Sequence, residues 1–209
     1  LFINLNFINS KSIIKIIFIS KGLSDYYSFK GTDNVILHDS YSPKDFNINK
    51  FKKKIKNIYY IGSFYKGRGI EVIKKLSTLS SSFNFFLYGR RGETTKNFPK
   101  NVRIFNFQKY NNILKTIKKA DLLLMPYQAK VSINAENYND DISKFISPLK
   151  MFEYLGTGTP IISSGLKVLK EVLMHRKNAY LVKNYEDPYS WKKALEDVSK
   201  NSKLRNIAL

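Results

Sequence analysis

The chain has 209 residues, 43% of them hydrophobic, and no cysteine. That length holds one large domain, or one domain with part of another, and the apolar content supports a packed core over a disordered chain. Disulfides and thiolate metal sites are excluded, and the isolated His38 and His175 do not make a metal cluster. The net charge of +20 has two readings. One is an anionic partner: nucleic acid, acidic lipid headgroups or a polyphosphate. The other is composition, since Lys, Asn, Ile, Phe and Tyr are all abundant, as A/T-rich codons would make them. The densest basic run, Lys50 to Asn57, lacks the aromatic interleaving of a platform for single-stranded nucleic acid.

In chain order, "IIKIIFIS" from Ile13 predicts a strand. It is too short for a membrane span and carries Lys15. "KGLSDYYSF" predicts a short helix and "NVILHD" a second strand. Asp39 to Asn57 is polar, with Ser42-Pro43 and a lysine run, and reads as a linker. The rhythm then restarts. "IYYIGSF" is a strand ending in Gly62, and "GIEVIKKLSTL" places apolar residues at helical spacing. "FNFFLYG" ends in Gly89; "NVRIFNF" is a strand, "NNILKTIKKA" a helix, and "DLLLMPY" a strand stopped by Pro126. After a polar loop from Gln128 to Phe145 come helix "SPLKMFEYL", strand "TPIISS", helix "LKVLKEVLM", strand "NAYLV" and a last helix from about Asp187. This alternation predicts an α/β fold: a Rossmann-like parallel sheet with helices on both faces. Ligands in such sheets bind beyond the carboxyl ends of the strands. The loops after Ile61, Tyr88, Met125 and Ser163 are therefore the places to look.

Three stretches there carry candidate chemistry. In "SPLKMFEYLGTGTPIIS", Ser147 is a good N-cap and Pro148 suits the first helical position. The amides of Leu149 and Lys150 would then face outward at a helix N-terminus, a setting suited to phosphate. Glu153, one turn on, can accept hydrogen bonds from two neighbouring hydroxyls such as those of a ribose, while Leu149, Phe152 and Leu155 face the sheet. The plain alternative is a surface helix with Glu153 paired to Lys150. In "YIGSFYKGRGIE", Gly62, Gly67 and Gly69 surround Lys66 and Arg68 between a strand and a helix. Basic groups there reach anionic oxygens above the sheet, but the loop is neither a dinucleotide fingerprint nor a Walker loop, and a simple basic turn is the alternative. In "FLYGRRGE", Gly89 lets the chain turn; Arg90 and Arg91 read as solvated charges more readily than as functional ones.

Taken in order, these pieces resemble the C-terminal half of a GT-B glycosyltransferase of family 4, the glycosyl transferases of group 1. The resemblance rests on the Gly62–Gly69 loop, Gly89, "NVRIFNF", "ADLLLMPY", "SPLKMFEYLGTGTPIIS" and "NAYLVKNYEDPYSWKKAL", and spans residues 58 to 205. "DISKFISPLKMFEY" is similar to a bacterial subgroup. The resemblance implies a retaining, hexosyltransferase-type transfer from a nucleotide diphosphate-sugar to a glycan or lipid-linked acceptor, with no cofactor and no essential metal. It implies that Glu153, the last acid of an E-x7-E motif, binds the donor ribose, and that amides around Pro148 to Lys150 hold the diphosphate. Arg68 stands where the family has Lys, and Ser63 where it has Arg, with Lys66 as a compensating cation. Arg68 and Lys66 are thus the catalytic candidates. Gly62, Ser63, Gly69, Gly89, Phe107, Ser147, Pro148, Leu149, Lys150 and Glu153 are the donor-binding ones.

The sequence departs from the family at two further points. The first acid of the motif falls on Phe145, with Asp141 or Ser143 as substitutes, and Asn106 replaces a glycine. Residues 1–45 are expected to be a trailing piece of an N-terminal acceptor domain, 46–57 a linker and 58–209 the nucleotide-sugar domain. The chain is expected to be a fragment that does not catalyse transfer alone. Its implied setting is cytoplasmic, at the inner face of a membrane, with peripheral contact to anionic lipid and no specific nucleic acid. A catalytically silent binding subunit of the same fold is the competing expectation, favoured by Phe145 and Ser63.

Overall fold

The computed structural model describes residues 15–27, 33–41, 54–90, 96–133 and 141–205. Most of the expected linker, residue 91 and the middle of the polar loop lie outside the described residues. The first unit is β1 (Lys15–Phe18), α1 (Lys21–Tyr27) and β2 (Asp33–Ile36), with the strands paired in parallel. The second is a six-stranded sheet of β3 (Asn57–Ile61), β4 (Asn84–Tyr88), β5 (Val102–Phe105), β6 (Leu122–Met125), β7 (Ile161–Ser164) and β8 (Tyr180–Val182). Between them run α2 (Ile70–Leu79), α3 (Tyr110–Ile117) and α4 (Leu149–Gly156), and α5 (Pro188–Lys200) and α6 (Ser202–Arg205) follow.

All six strands are parallel, in the order β5-β4-β3-β6-β7-β8. The chain builds outward from β3 through β4 to β5, then returns to the other side of β3 with β6. That reversal opens a crevice between the carboxyl ends of β3 and β6, where doubly wound sheets bind ligands.

Both faces of the sheet are buried, which explains near-continuous apolar strands such as "LLLM". Alternate side chains serve the two faces. Ile58, Tyr60, Leu122 and Leu124 pack with Ile73 and Leu76 of α2 and Trp191 and Leu195 of α5. Tyr59, Ile61, Leu123 and Met125 pack with Ile117 of α3 and Met151, Phe152 and Tyr154 of α4. Among the described residues no helix is long and apolar enough to cross a membrane.

Two local expectations are corrected. The helix expected over "LKVLKEVLM" is only a 3₁₀ turn, Leu169–Glu171. Glu171 N and Val172 N bond to the third residue back, Val168 O and Leu169 O, while Lys170 N and Leu173 N bond to the fourth, Leu166 O and Leu169 O, so helical bonding does not extend beyond this turn. Asn178 then closes the segment, accepting from the Met174 amide and donating to the Val172 carbonyl. At α4 the helix starts one residue later than expected. Pro148 holds the cap position, no side chain caps the helix, and Ser147 donates instead to Asp39. Leu149, expected to face the sheet, is 61% exposed; Phe152 is buried as expected, and Met151 and Tyr154 are buried beside it.

Candidate functional site

A cleft of about 380 Å³ opens at the β3/β6 reversal, within the size range of small-molecule sites. Its walls come from four places: Ile61, Gly62 and Ser63 at the end of β3; Arg68 in the loop to α2; Phe107 and Tyr110 around the start of α3; and Pro148, Leu149, Lys150 and Glu153 on α4, with Tyr127 beneath.

Local rules explain how the loop after β3 is held. Gly69 precedes α2 with φ 86°, a left-handed conformation, and a Cβ there would stand 2.0 Å from the Pro126 carbonyl oxygen. The loop is thereby clamped against the end of β6. The Gln128 amide donates to the Gly67 carbonyl, and the Ser132 amide to the Lys66 carbonyl. Arg68 is drawn inward by the same clamp. Its guanidinium lies 5.4 Å from the centre of the Tyr127 ring and donates to the Tyr127 hydroxyl (3.4 Å) and the Ser132 carbonyl (3.3 Å). Its Nε is buried with no protein partner.

α4 supplies the opposite wall. With no side-chain cap, the amides of Leu149 and Lys150 are the orphan donors of its first turn, while the Met151 amide bonds to Pro148 O. The Lys150 stem is partly exposed but its ammonium end is enclosed. Nζ donates to the Ile61 carbonyl at 3.2 Å and lies 4.4 and 4.8 Å from the Tyr60 and Tyr127 ring centres. Burial, reinforced by the charge of Arg68, lowers its pKa to about 7. A Cβ on Gly62 would fall 2.9 Å from Nζ, so a side chain there would displace the lysine end from its present place. Glu153 is half-buried. Desolvation raises its pKa, opposed by a hydrogen bond from Tyr110 and the charge of Lys150. The two α4 side chains thus sense each other, but Lys150 gives its hydrogen bond to the sheet, not to Glu153.

Residues 42–208 match the family described as glycosyl transferases group 1. The chain belongs to that family. No curated protein sequence is a significant match. Among solved structures, sucrose-phosphate synthase from Thermosynechococcus elongatus superposes with a TM-score of 0.70 at 14% identity, covering 93% of this chain and 51% of that one. Anabaena HepE, solved in complex with UDP and glucose, gives 0.70 at 11% identity, covering 98% and 58%. The C-terminal domain of the group 1 glycosyltransferase LpcC from Francisella tularensis gives 0.60 at 14%, covering 81% and 93%. These likenesses establish the GT-B glycosyltransferase fold. The chain spans about half the length of the first two proteins.

Of the positions singled out from the sequence, Gly62, Ser63, Arg68, Phe107, Pro148, Leu149, Lys150 and Glu153 line one cleft of this group 1 chain. Lys66, which is exposed, lies outside that lining, and so do the buried Gly69 and Gly89 and the partly buried Ser147. Gly69 and Gly89 act from behind: a Cβ on Gly89 would meet the Gly62 carbonyl at 2.1 Å. Phe145 packs on Tyr26, ring centres 4.8 Å apart. Asp141 accepts from the amides of Val131 and Ser143 and from the Ser143 hydroxyl, so both proposed substitutes for the missing acid are engaged with each other. Tyr127 and Tyr110 went unremarked in the sequence. The signal for Tyr127 was its place directly after Pro126, at the carboxyl end of a strand. Among the described residues no three metal-ligating side chains converge.

Proposed function

We propose that this chain supplies the nucleotide-sugar-binding half of a retaining glycosyltransferase. The observation that carries the proposal is the convergence of Arg68, the uncapped start of α4 and Glu153 on one cleft at the sheet's reversal point. The amides of Leu149 and Lys150 receive the diphosphate, where the helix dipole favours negative charge. Glu153 accepts from the ribose hydroxyls. As the bond from sugar to diphosphate breaks, charge builds on the leaving oxygens, and Arg68 stabilises it from a fixed position over Tyr127. These groups are the chain's own. Lys66, exposed at the loop tip, contributes long-range attraction. In the full-length protein the acceptor is a glycan or lipid-linked glycan, as in bacterial surface-polysaccharide assembly. The basic surface favours peripheral contact with anionic lipid at the cytoplasmic face. The relatives solved with UDP support a nucleoside diphosphate as the class of ligand.

A second reading, a binding subunit without turnover, is favoured by Phe145. The side chain at the position of the family's first acid packs on Tyr26 and offers a sugar hydroxyl no carboxylate.

Calorimetric titration of the chain with UDP, GDP and ADP tests the shared part. One nucleotide is expected to bind, and Arg68→Ala and Glu153→Ala each to weaken it by about tenfold or more, the scale of a charge-assisted hydrogen bond. Binding by none, or binding indifferent to both substitutions, would overturn it.

A further inference from the structure

The start of α4 holds an arrangement that the donor-site account leaves unexplained. An ammonium group is enclosed in the first turn of a helix, the end whose dipole opposes a cation. We propose that Lys150 is a proton-linked cation of this cleft, so that binding of a nucleoside diphosphate takes up a proton from solution. This rests on the donor-site reading above and deepens it.

Groups from four elements face the ammonium, and they pull in both directions: the rings and Glu153 favour the charge, and burial and Arg68 oppose it. On β3, Tyr60 presents its ring and Ile61 its carbonyl; after β6, Tyr127 presents a second ring. Arg68 reaches in from the loop after β3 and repels the ammonium; Glu153, on α4 itself, attracts it. Tyr154 is occupied elsewhere, accepting from the Ile61 amide. Two rings and one carbonyl are a thin shell for a buried charge. Desolvation and Arg68 accordingly bring the lysine to about 7, far below its ordinary 10.5. Near neutral pH the empty cleft therefore holds the lysine as a mixture of amine and ammonium. A diphosphate on the amides of Leu149 and Lys150 brings opposite charge to the same wall and drives the mixture to ammonium. Affinity for the nucleotide then falls with rising pH, by about tenfold per unit above 7, until the pKa in the complex is reached. Glu153 has the opposite sign, since ribose hydroxyls favour its carboxylate and release any proton it holds.

Proton uptake is measured by calorimetry at pH 8 in two buffers of different ionisation enthalpy, with UDP, GDP and ADP in turn. At that pH a terminal phosphate, with a pKa of about 6, is already ionised and contributes little. The wild-type chain is expected to take up close to one proton per nucleotide bound. Lys150→Met should bind more weakly and take up none. Lys150→Arg, permanently charged, should retain binding with no uptake. Nucleotide binding without proton uptake, or with equal uptake by Lys150→Met, overturns this inference and leaves the donor site standing. Absence of binding by any of the three nucleotides overturns both.

Discussion

Asp39 accepts a 2.7 Å hydrogen bond from the Ser147 hydroxyl, joining residues 108 positions apart. The bond diverts from α4 the hydroxyl best placed to cap it. It also helps fasten the β1–α1–β2 unit to the segment before α4. Lys21 and Gly22 donate their amides to Glu171 at 2.7 and 3.2 Å, and Ser20 reaches the Phe145 carbonyl. Releasing Ser147 should let α4 gain a residue, with Pro148 at its first position and the serine competing for the phosphate amides. Asp39→Ala is therefore expected to weaken nucleotide binding by about fivefold, the worth of one N-cap near 1 kcal/mol. The double variant Asp39→Ala with Ser147→Ala should recover most of it. An affinity equally low in the double variant would contradict the competition.

Lys150 should make the folded state pay for its site. Its pKa is depressed on folding, so its stabilising effect is present above the unfolded value of 10.5 and lost as pH falls to about 7. Lys150→Met is expected to raise the unfolding free energy at pH 7 by on the order of 3–5 kcal/mol, converting the shift at 1.36 kcal/mol per unit. The advantage should shrink to near zero by pH 10.5. Denaturant unfolding at several pH values reads this directly, and a gain constant with pH would point to packing instead of charge.

Tyr154 is fully buried, and its hydroxyl accepts from the Ile61 amide at 3.0 Å. Tyr154→Phe leaves that amide unsatisfied at the end of β3, with an expected cost of about 1–3 kcal/mol. The melting temperature should fall by roughly 2–4 °C per kcal/mol. An unchanged melting temperature would mean that the amide finds another partner.

Gly69→Ala adds a Cβ where φ is 86° and the Pro126 carbonyl oxygen is 2.0 Å away. The left-handed conformation alone costs about 1–2 kcal/mol. Relief of the clash must also move Pro126 and hence Tyr127, on which Arg68 rests. Both stability and nucleotide affinity are expected to drop, by about tenfold or more in affinity. A loss of stability with affinity intact would uncouple the loop clamp from Arg68.

Much of this was legible in the sequence because parallel sheets advertise themselves. A stretch like Leu122–Met125, buried on both faces, has no choice but to be apolar throughout, and glycines mark the turns after β3 and β4. Arg68 and Glu153 were legible because their positions follow from where strands end and helices begin. The inward turn of Lys150 was not. On one helix a lysine three residues before a glutamate reads as a surface ion pair, whereas its enclosure is made by Tyr60 and the Ile61 carbonyl on β3 and by Tyr127 after β6, all distant in sequence. Ser147 likewise looked like a cap because nothing local announces Asp39. The stretch around the Leu169–Glu171 turn has the sequence of a helix because Leu166, Leu169 and Leu173 repeat at helical spacing, while its closure depends on Asn178.

The most direct test of the central claim is a crystal structure of this chain with its preferred nucleoside diphosphate bound. The account predicts phosphate oxygens within hydrogen-bond distance of the Leu149 and Lys150 amides, Arg68 on the same diphosphate, and the ribose hydroxyls on Glu153. A nucleotide held elsewhere, for instance in the polar cleft lined by Arg176, Asp197 and Lys200, or one whose ribose lies away from Glu153, would contradict it.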